Sequence, residues 1–272
     1  MNQPIVAAVQ MTSAANVARN LDTARRLLEK AREGGACLAV LPENFSFMGR
    51  TEAERREVVE ADGDGPVQRA VATAARELGI WIVAGTQPIA VSGEARPANA
   101  CIVYDAGGRR VARYDKIHLF NVDLPDGREG YRESANAVAG AQPVTVDTPA
   151  GRLGLTVCYD MRFPELYRRL VSEGAEIFSV PSAFTCPTGR AHWEVLLRAR
   201  AIENLSFLIA AAQTGIHDSG RETYGDSLIV DYWGRVLGRL PRGSGVVLAA
   251  LDREQQAAIR QSFPALGHRV IG

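Results

Sequence analysis

The chain is punctuated by short apolar runs, too brief for helices and too continuous for half-exposed strands. Residues 5–10, 37–42, 81–85, 175–180, 205–212 and 246–251 are of this kind, and each predicts a strand buried on both faces. Between them the period lengthens to that of a helix. Residues 16–33 set Val17, Leu21, Ala24, Leu27, Leu28 and Ala31 on one face and stop at Gly34-Gly35. Residues 66–78 do the same with Val67, Val71, Ala74 and Leu78, opened by Pro66 and closed by Gly79. Two more helices are predicted over 164–173 and 189–204, the second with Trp193, Leu196, Leu197 and Ile202 turned inward. Residues 100–104 and 110–114 flank Asp105-Ala-Gly-Gly-Arg109, and 227–237 folds back around Tyr232-Trp-Gly234. Both read as hairpins, so the sheet arrangement is mixed. Residues 121–151 show Pro- and Gly-rich turns and little periodicity; they predict a long irregular loop over a functional site, with a short strand near 144–146. The tail, 253–272, reads as a short helix followed by coil.

An internal echo runs through this order. Val40-Leu-Pro-Glu-Asn-Phe45 resembles Ser179-Val-Pro-Ser-Ala-Phe184, and each is followed by a helix, a strand and a hairpin. Gln87 and Gln213 lie 126 residues apart, as do Val103 and Ile229. Two similar halves, each a sheet with helices on its outer face, would pack sheet to sheet as a four-layer αββα sandwich; chance likeness within α/β sequence is the other explanation. Either way the fold class is α/β, and residues 1–272 are expected to form one domain.

Composition narrows the partners. Lys plus Arg and Asp plus Glu both number 31, so no net field is available to hold nucleic acid or an anionic membrane, and a small molecule is the expected partner. The four cysteines are widely spaced without a CxxC pair, and the four histidines form no ligand pair at helical spacing, which argues against zinc and a disulfide scaffold. With no secretory leader pattern and no long apolar run, a reduced, cytoplasmic protein is expected.

The chemistry gathers at strand ends. Leu153, Leu155 and Val157 alternate as a strand does, Pro164 suits the first turn of a helix, and Cys158 falls between. Ligands of open α/β sheets bind at that edge, and a nearby helix N-terminus favours thiolate over thiol. An isolated cysteine also reads as a small buried apolar residue, and the segment alone admits both. Glu43 and Lys116 likewise abut apolar strands, where a lone charge is costly unless paired or used. Singly, each also reads as a solvated strand end. Together the three make a cysteine hydrolase: the carboxylate takes the thiol proton and the ammonium holds an oxyanion, with neither histidine nor metal required. Arg162, four residues past Cys158, is either a solvated helix start or a fork for a substrate carboxylate.

Leu41-Pro-Glu43, Tyr114-Asp-Lys-Ile-His-Leu119 and Val157-Cys-Tyr-Asp-Met-Arg-Phe-Pro-Glu165 resemble the three signature blocks of the nitrilase superfamily of carbon–nitrogen hydrolases, and the resemblance covers nearly the whole chain. Residues 181–184 and 188–204 are most similar to one branch, the deaminated glutathione amidases, with the ω-amidases next. The resemblance implies the αββα sandwich, a homodimer or larger assembly, and no cofactor. It also implies Cys158 as nucleophile, Glu43 as general base then acid, Lys116 as oxyanion stabiliser with the Tyr159 backbone N–H as second donor, and Glu133 as the carboxylate that positions Lys116 and substrate. In that branch the residues after the cysteine and around Thr188 face the substrate, which nominates Arg162, Thr188 and Phe184. His192 and Trp193 either join them or pack in the core. The reaction expected is hydrolysis of a primary carboxamide to acid and ammonia through a Cys thioester. Ser182, where ω-amidases tend to glycine, favours a glutathione-derived substrate over 2-oxoglutaramate. A catalytically idle binding protein of the same fold is the remaining alternative.

Overall fold

A computed structural model describes residues 3–123 and 130–271. The first half runs β1 (Ile5–Gln10), α1 (Val17–Glu33), β2 (Ala36–Val40), α2 (Glu52–Glu57), α3 (Pro66–Leu78), β3 (Trp81–Ile89), β4 (Ala98–Tyr104) and β5 (Arg110–Asp115). A crossing segment holds β6 (Asn121–Asp123) and β7 (Gly130–Arg132). The second half runs β8 (Thr145–Thr148), β9 (Gly151–Leu155), α4 (Pro164–Ser172), β10 (Ile177–Ser182), α5 (Cys186–Asn204), β11 (Phe207–Ala212), β12 (Thr214–Ile216), β13 (Glu222–Tyr224), β14 (Ser227–Val230) and β15 (Val236–Leu240). β16 (Gly245–Ala250) and α6 (Arg253–Ser262) close the chain.

Two six-stranded sheets result, ordered β16-β1-β2-β3-β4-β5 and β15-β14-β11-β10-β9-β8. In the first, β1, β2 and β3 are parallel, and β3-β4-β5 continue antiparallel. The second repeats that sense with β9, β10 and β11 parallel and β11-β14-β15 antiparallel, so the echo in the sequence is an echo in topology. The last strand returns to the other half: β16 pairs antiparallel with β1.

Alternation along each strand explains the continuous apolar runs. Val6, Ala8, Leu38, Val40, Val83 and Val103 pack in one core with Leu153, Leu155, Ile177 and Phe178 of the other sheet. Their neighbours Ala7, Val9, Ala39, Ile82 and Ile102 face the opposite way, onto Leu27, Leu28, Val71 and Ala75 of α1 and α3. Both faces of the sheet are covered, as a sheet of parallel strands requires. The outer helices are bounded as their punctuation indicates. Asn16 caps α1 by accepting from the Arg19 N–H, and Gly79 ends α3 in the left-handed region at φ 64°.

Several expectations need correction. Residues 121–151 are not one irregular loop: β6 pairs antiparallel with β7, a 3-10 turn spans Glu133–Ala135, and β8 pairs with β9, while 124–129 lie outside the described residues. Ile202 is 47% exposed, because the buried stripe of α5 follows Trp193, Leu197, Ala201 and Asn204, and 202 falls a step around the helix from it. No helix among the described residues is long and apolar enough to cross a membrane.

Candidate functional site

Three strand exits converge between the sheets. Past β2, Glu43 sits in a turn whose Phe45 N–H donates to the Pro42 carbonyl, and Asn44 takes φ 57°. The turn lies close on β3 because residue 85 is glycine; a Cβ there would stand 1.9 Å from the Pro42 oxygen. Past β5, the Lys116 N–H donates to the Asn99 carbonyl, and the Lys116 carbonyl accepts from the Gly140 N–H. Gly140 is equally constrained, since a Cβ would meet the Asp115 oxygen at 2.1 Å. Beyond β9, Cys158 opens a 3-10 turn, Cys158–Arg162, with φ at 48°, a conformation that costs a non-glycine residue about 1–3 kcal/mol and persists only where surroundings enforce it.

The enforcing group is Asp160, which the sequence reading quoted but left without a role. It is fully buried. Its Oδ2 accepts from the Tyr114 hydroxyl at 2.7 Å and the Val157 N–H at 2.8 Å, and its Oδ1 accepts from the His118 N–H at 3.1 Å and faces His118 Nδ1 at 2.7 Å. One carboxylate thus clamps the segment carrying Lys116 to the turn carrying Cys158. His118 is in turn stacked on Phe163, ring centroids 3.7 Å apart. Asp160→Asn turns an NH2 toward groups that all donate, and each buried donor left unmet costs about 1–3 kcal/mol. A loss of about 2–4 kcal/mol in denaturant stability is expected, together with lower activity at saturating substrate; unchanged stability would show that the clamp contributes little.

Lys116 is the hub of the site. Its Nζ lies 2.8 Å from Glu43 Oε1 and 2.9 Å from Glu133 Oε2, and the residue is 1% exposed. Burial pulls its pKa down, but the Glu133 and Glu43 carboxylates outweigh that and hold it above the ordinary lysine value. Glu133 shows the reciprocal balance: burial pushes it up, and the Lys116 charge and hydrogen bond bring it below the usual carboxylate range. The rest of Glu133 is also engaged, Oε2 accepting from the Phe120 N–H at 2.7 Å and Oε1 from Asn99 Nδ2. Glu43 Oε2 accepts from the Ala183 N–H at 2.9 Å, and its own carbonyl accepts from Gln213 Nε2 at 3.0 Å. Both halves therefore fix Glu43.

Cys158 is 7% exposed, with the Glu43 carboxylate and the Ala183 N–H as polar neighbours. The expectation of a stabilised thiolate is overturned. Burial first, and then the Glu43 charge, push the thiol well above its ordinary pKa, and Lys116 offsets this only in part. The helix that was to supply positive charge, α4, starts only at Pro164, beyond the 3-10 turn. The resting site holds a thiol next to a carboxylate, an arrangement in which the proton leaves only as the sulfur attacks.

These groups line a cavity of about 360 Å³, with Glu133, Tyr159, Phe184 and Thr188 also on its wall. The Thr188 hydroxyl meets that of Thr185 at 2.7 Å. Arg162 does not line it. Its guanidinium lies 5.5 Å from the Phe184 ring centre and 5.8 Å from that of Tyr159, with its Nη atoms 3.3 and 3.4 Å from His192 Nδ1. His192 is exposed, and Trp193 is core, donating from Nε1 to the Asp226 carbonyl at 2.8 Å. Ser182 is buried off the cavity wall, its hydroxyl 3.3 Å from the Val180 carbonyl. Sequence reasoning missed Arg55, Arg132 and Arg221 on the wall; Arg132 falls in the segment expected to lie over the site, and no apolar periodicity marks Arg55 or Arg221.

Comparison with known proteins places the chain by family and fold. The carbon–nitrogen hydrolase family matches over residues 5–261. A deaminated glutathione amidase from Synechocystis is 43% identical over 274 residues, covering 100% of both chains. The solved structure of the Caenorhabditis elegans NitFhit protein superposes with a TM-score of 0.92 at 37% identity, covering 99% of this chain and 66% of that one. Saccharomyces cerevisiae Nit3, of the nitrilase superfamily, superposes at 0.88 with 28% identity, covering 99% and 97%.

Proposed function

Since the chain belongs to the carbon–nitrogen hydrolase family, we propose that it is an amidase that cleaves a linear amide through a thioester on Cys158. The observation that carries this reading is the Glu43–Lys116–Glu133 chain, with Glu43 and Lys116 buried, beside the Cys158 thiol in one cavity. Glu43 takes the thiol proton as sulfur attacks the amide carbon. The developing oxyanion is received by the Tyr159 N–H and by Lys116, whose ammonium has three donors and gives two to Glu43 and Glu133. Glu43 then passes the proton to the departing nitrogen as the C–N bond breaks, leaving the acyl group on sulfur. A water deprotonated by the same carboxylate attacks the thioester; the C–S bond breaks, the acid leaves, and the proton returns to sulfur. Glu133 acts through Lys116, holding its ammonium in place.

The substrate we favour is deaminated glutathione, on the strength of full-length identity of 41–43% to proteins of that activity. Its scissile bond joins an acyl group to cysteinylglycine, so the leaving group is that amine, not ammonia, and the expected primary carboxamide widens to linear amides. ω-Amidase activity is the competing assignment. Steady-state kcat/KM on deaminated glutathione and on 2-oxoglutaramate tests the choice: the account expects at least about tenfold preference for the former, and the reverse order would transfer the assignment. No turnover of either by folded protein would favour an idle binding protein. We also assign the chain to the cytoplasm, where its four free cysteines stay reduced, and to a homo-oligomer, which would cover the exposed Trp233, Phe263 and Ile202.

A further inference from the structure

The groups that hold Glu133 run outward from the site in a chain. Its Oε2 accepts from Lys116 Nζ at 2.9 Å and from the Phe120 N–H at 2.7 Å. Its Oε1 accepts from Asn99 Nδ2, and Asn99 Oδ1 in turn accepts from Arg55 Nη2. The other Arg55 nitrogen, Nη1, donates to Asn44 Oδ1 at 2.9 Å, beside Glu43 in the chain. Both acceptors are neutral amide oxygens, so the guanidinium charge is carried inward without being cancelled. It is felt at Glu133: burial pushes that carboxyl up, and the Lys116 charge and hydrogen bond, the Phe120 N–H and then the Arg55 charge bring it below the usual carboxylate range.

The sheet places Asn99 for this. β4 and β5 pair as far as Ala100 with Asp115, and one residue further the Asn99 carbonyl accepts from the Lys116 N–H at 3.0 Å. The residue is 3% exposed. Its backbone thus holds the lysine, and its side chain holds the carboxylate on which the lysine rests. An amide fits this place because it accepts from a guanidinium on one side and donates to a carboxylate on the other. Leucine would do neither, and aspartate would turn an acceptor toward Glu133.

The consequence falls on Lys116. A Glu133 free to turn would offer both oxygens to the ammonium and draw off hydrogens that an oxyanion needs. With Oε1 tied to Asn99 and Oε2 shared with the Phe120 N–H, Glu133 takes one N–H of Lys116 and Glu43 Oε1 a second, which leaves the third. We propose that Asn99 is a positioning residue for the amidase reaction: anchored by Arg55, it fixes the Glu133 carboxylate so that one N–H of Lys116 stays aimed at the oxyanion. The inference rests on the amidase reading above and goes beyond it. Its effect is felt in the transition state, because the amide oxygen gains its charge only there.

The test is steady-state kinetics of Asn99→Leu, Glu133→Gln and the double variant, on whichever of deaminated glutathione and 2-oxoglutaramate wild type turns over faster. Asn99→Leu should lose at least about tenfold in kcat with KM within about threefold of wild type, since only a transition-state interaction is lost. In the Glu133→Gln background the same substitution should cost less than about threefold, because Asn99 acts through that carboxylate. A smaller kcat loss, a larger rise in KM, as for a group that touches bound substrate, or an undiminished effect in the Glu133→Gln background would each overturn the proposal. If the leucine variant fails to fold, Asn99→Asp, which keeps the size and the acceptor for Arg55, decides by the same thresholds. Calorimetric titration with butyraldehyde, whose carbonyl adds the Cys158 thiol and sets its oxygen in the oxyanion position, reads the effect without turnover. Binding at least about fivefold weaker in Asn99→Leu than in wild type supports the role, and a smaller change overturns it. Wild type that hydrolyses neither amide would count against the amidase reading, while the titration still decides Asn99.

Discussion

Cys158→Ala is expected to lose amide hydrolysis altogether, at least about 10⁴-fold in kcat, while unfolding at nearly the wild-type temperature. Deleting the nucleophile removes the covalent route outright, and the remaining carboxylate and ammonium offer only direct attack by water. The fold should tolerate the change. Alanine accepts the same φ of 48° no worse than cysteine does, and the Asp160 clamp that enforces the turn is untouched. Cys101 supplies the control: it is fully buried in the core between the sheets, away from the cavity, so Cys101→Ala should keep its activity. Activity and melting temperature of the two variants, measured side by side, check the assignment. Retained turnover in Cys158→Ala would remove the thiol from the chemistry.

Lys116→Met should lose less rate than Cys158→Ala but fail in folding as well. The substitution leaves the buried Glu43 and the half-buried Glu133 near one another with no cation between them, and removing one partner of a buried pair typically costs about 3–5 kcal/mol. The loss of oxyanion stabilisation adds about 10²–10³ in kcat. The pH dependence carries the diagnostic. In wild type the Glu133 pKa is lowered, so its contribution to stability is present above the ordinary carboxylate range and lost as pH falls through the folded value. Without Lys116 the cause of that lowering is gone, and burial should raise the folded-state value of Glu133 above its unfolded one. Its contribution is then favourable at low pH and lost as pH rises. Urea titrations of Lys116→Met at pH 5 and pH 8 should therefore show the variant losing ground at pH 8, with the difference from wild type growing accordingly. A deficit independent of pH would mean that the lysine does not hold Glu133 ionised.

Much of this arrangement could be read from the chain because its anomalies were local. Glu43, Lys116 and Cys158 each interrupt or end an apolar run, and strands buried on both faces leave runs that are hard to mistake. Pro66, Gly79 and Pro164 mark helix ends by backbone constraint alone. What escaped depends on direction or on distance. Arg162 lies four residues beyond the cysteine, but the 3-10 turn carries its side chain to His192 rather than into the cavity. Asp160 had no legible role because its partners Tyr114 and His118 stand 46 and 42 residues away. The hairpin of β12 and β13 is two short polar strands with no periodicity to detect, and α2 is composed almost wholly of charged residues. Arg221 was hidden in that hairpin, where a charged residue after Asp218-Ser-Gly220 reads as a solvated turn.

That amide cleavage passes through an acyl group on Cys158, rather than by direct attack of water, is tested most directly by partitioning with hydroxylamine. Two amides sharing one acyl group but releasing different amines, ammonia and cysteinylglycine, are hydrolysed with hydroxylamine present, and the ratio of hydroxamate to free acid is measured for each. A common thioester has lost the amine before it meets hydroxylamine or water. The account predicts the same ratio from both amides, and no hydroxamate from Cys158→Ala. A ratio that changes with the departing amine would contradict it.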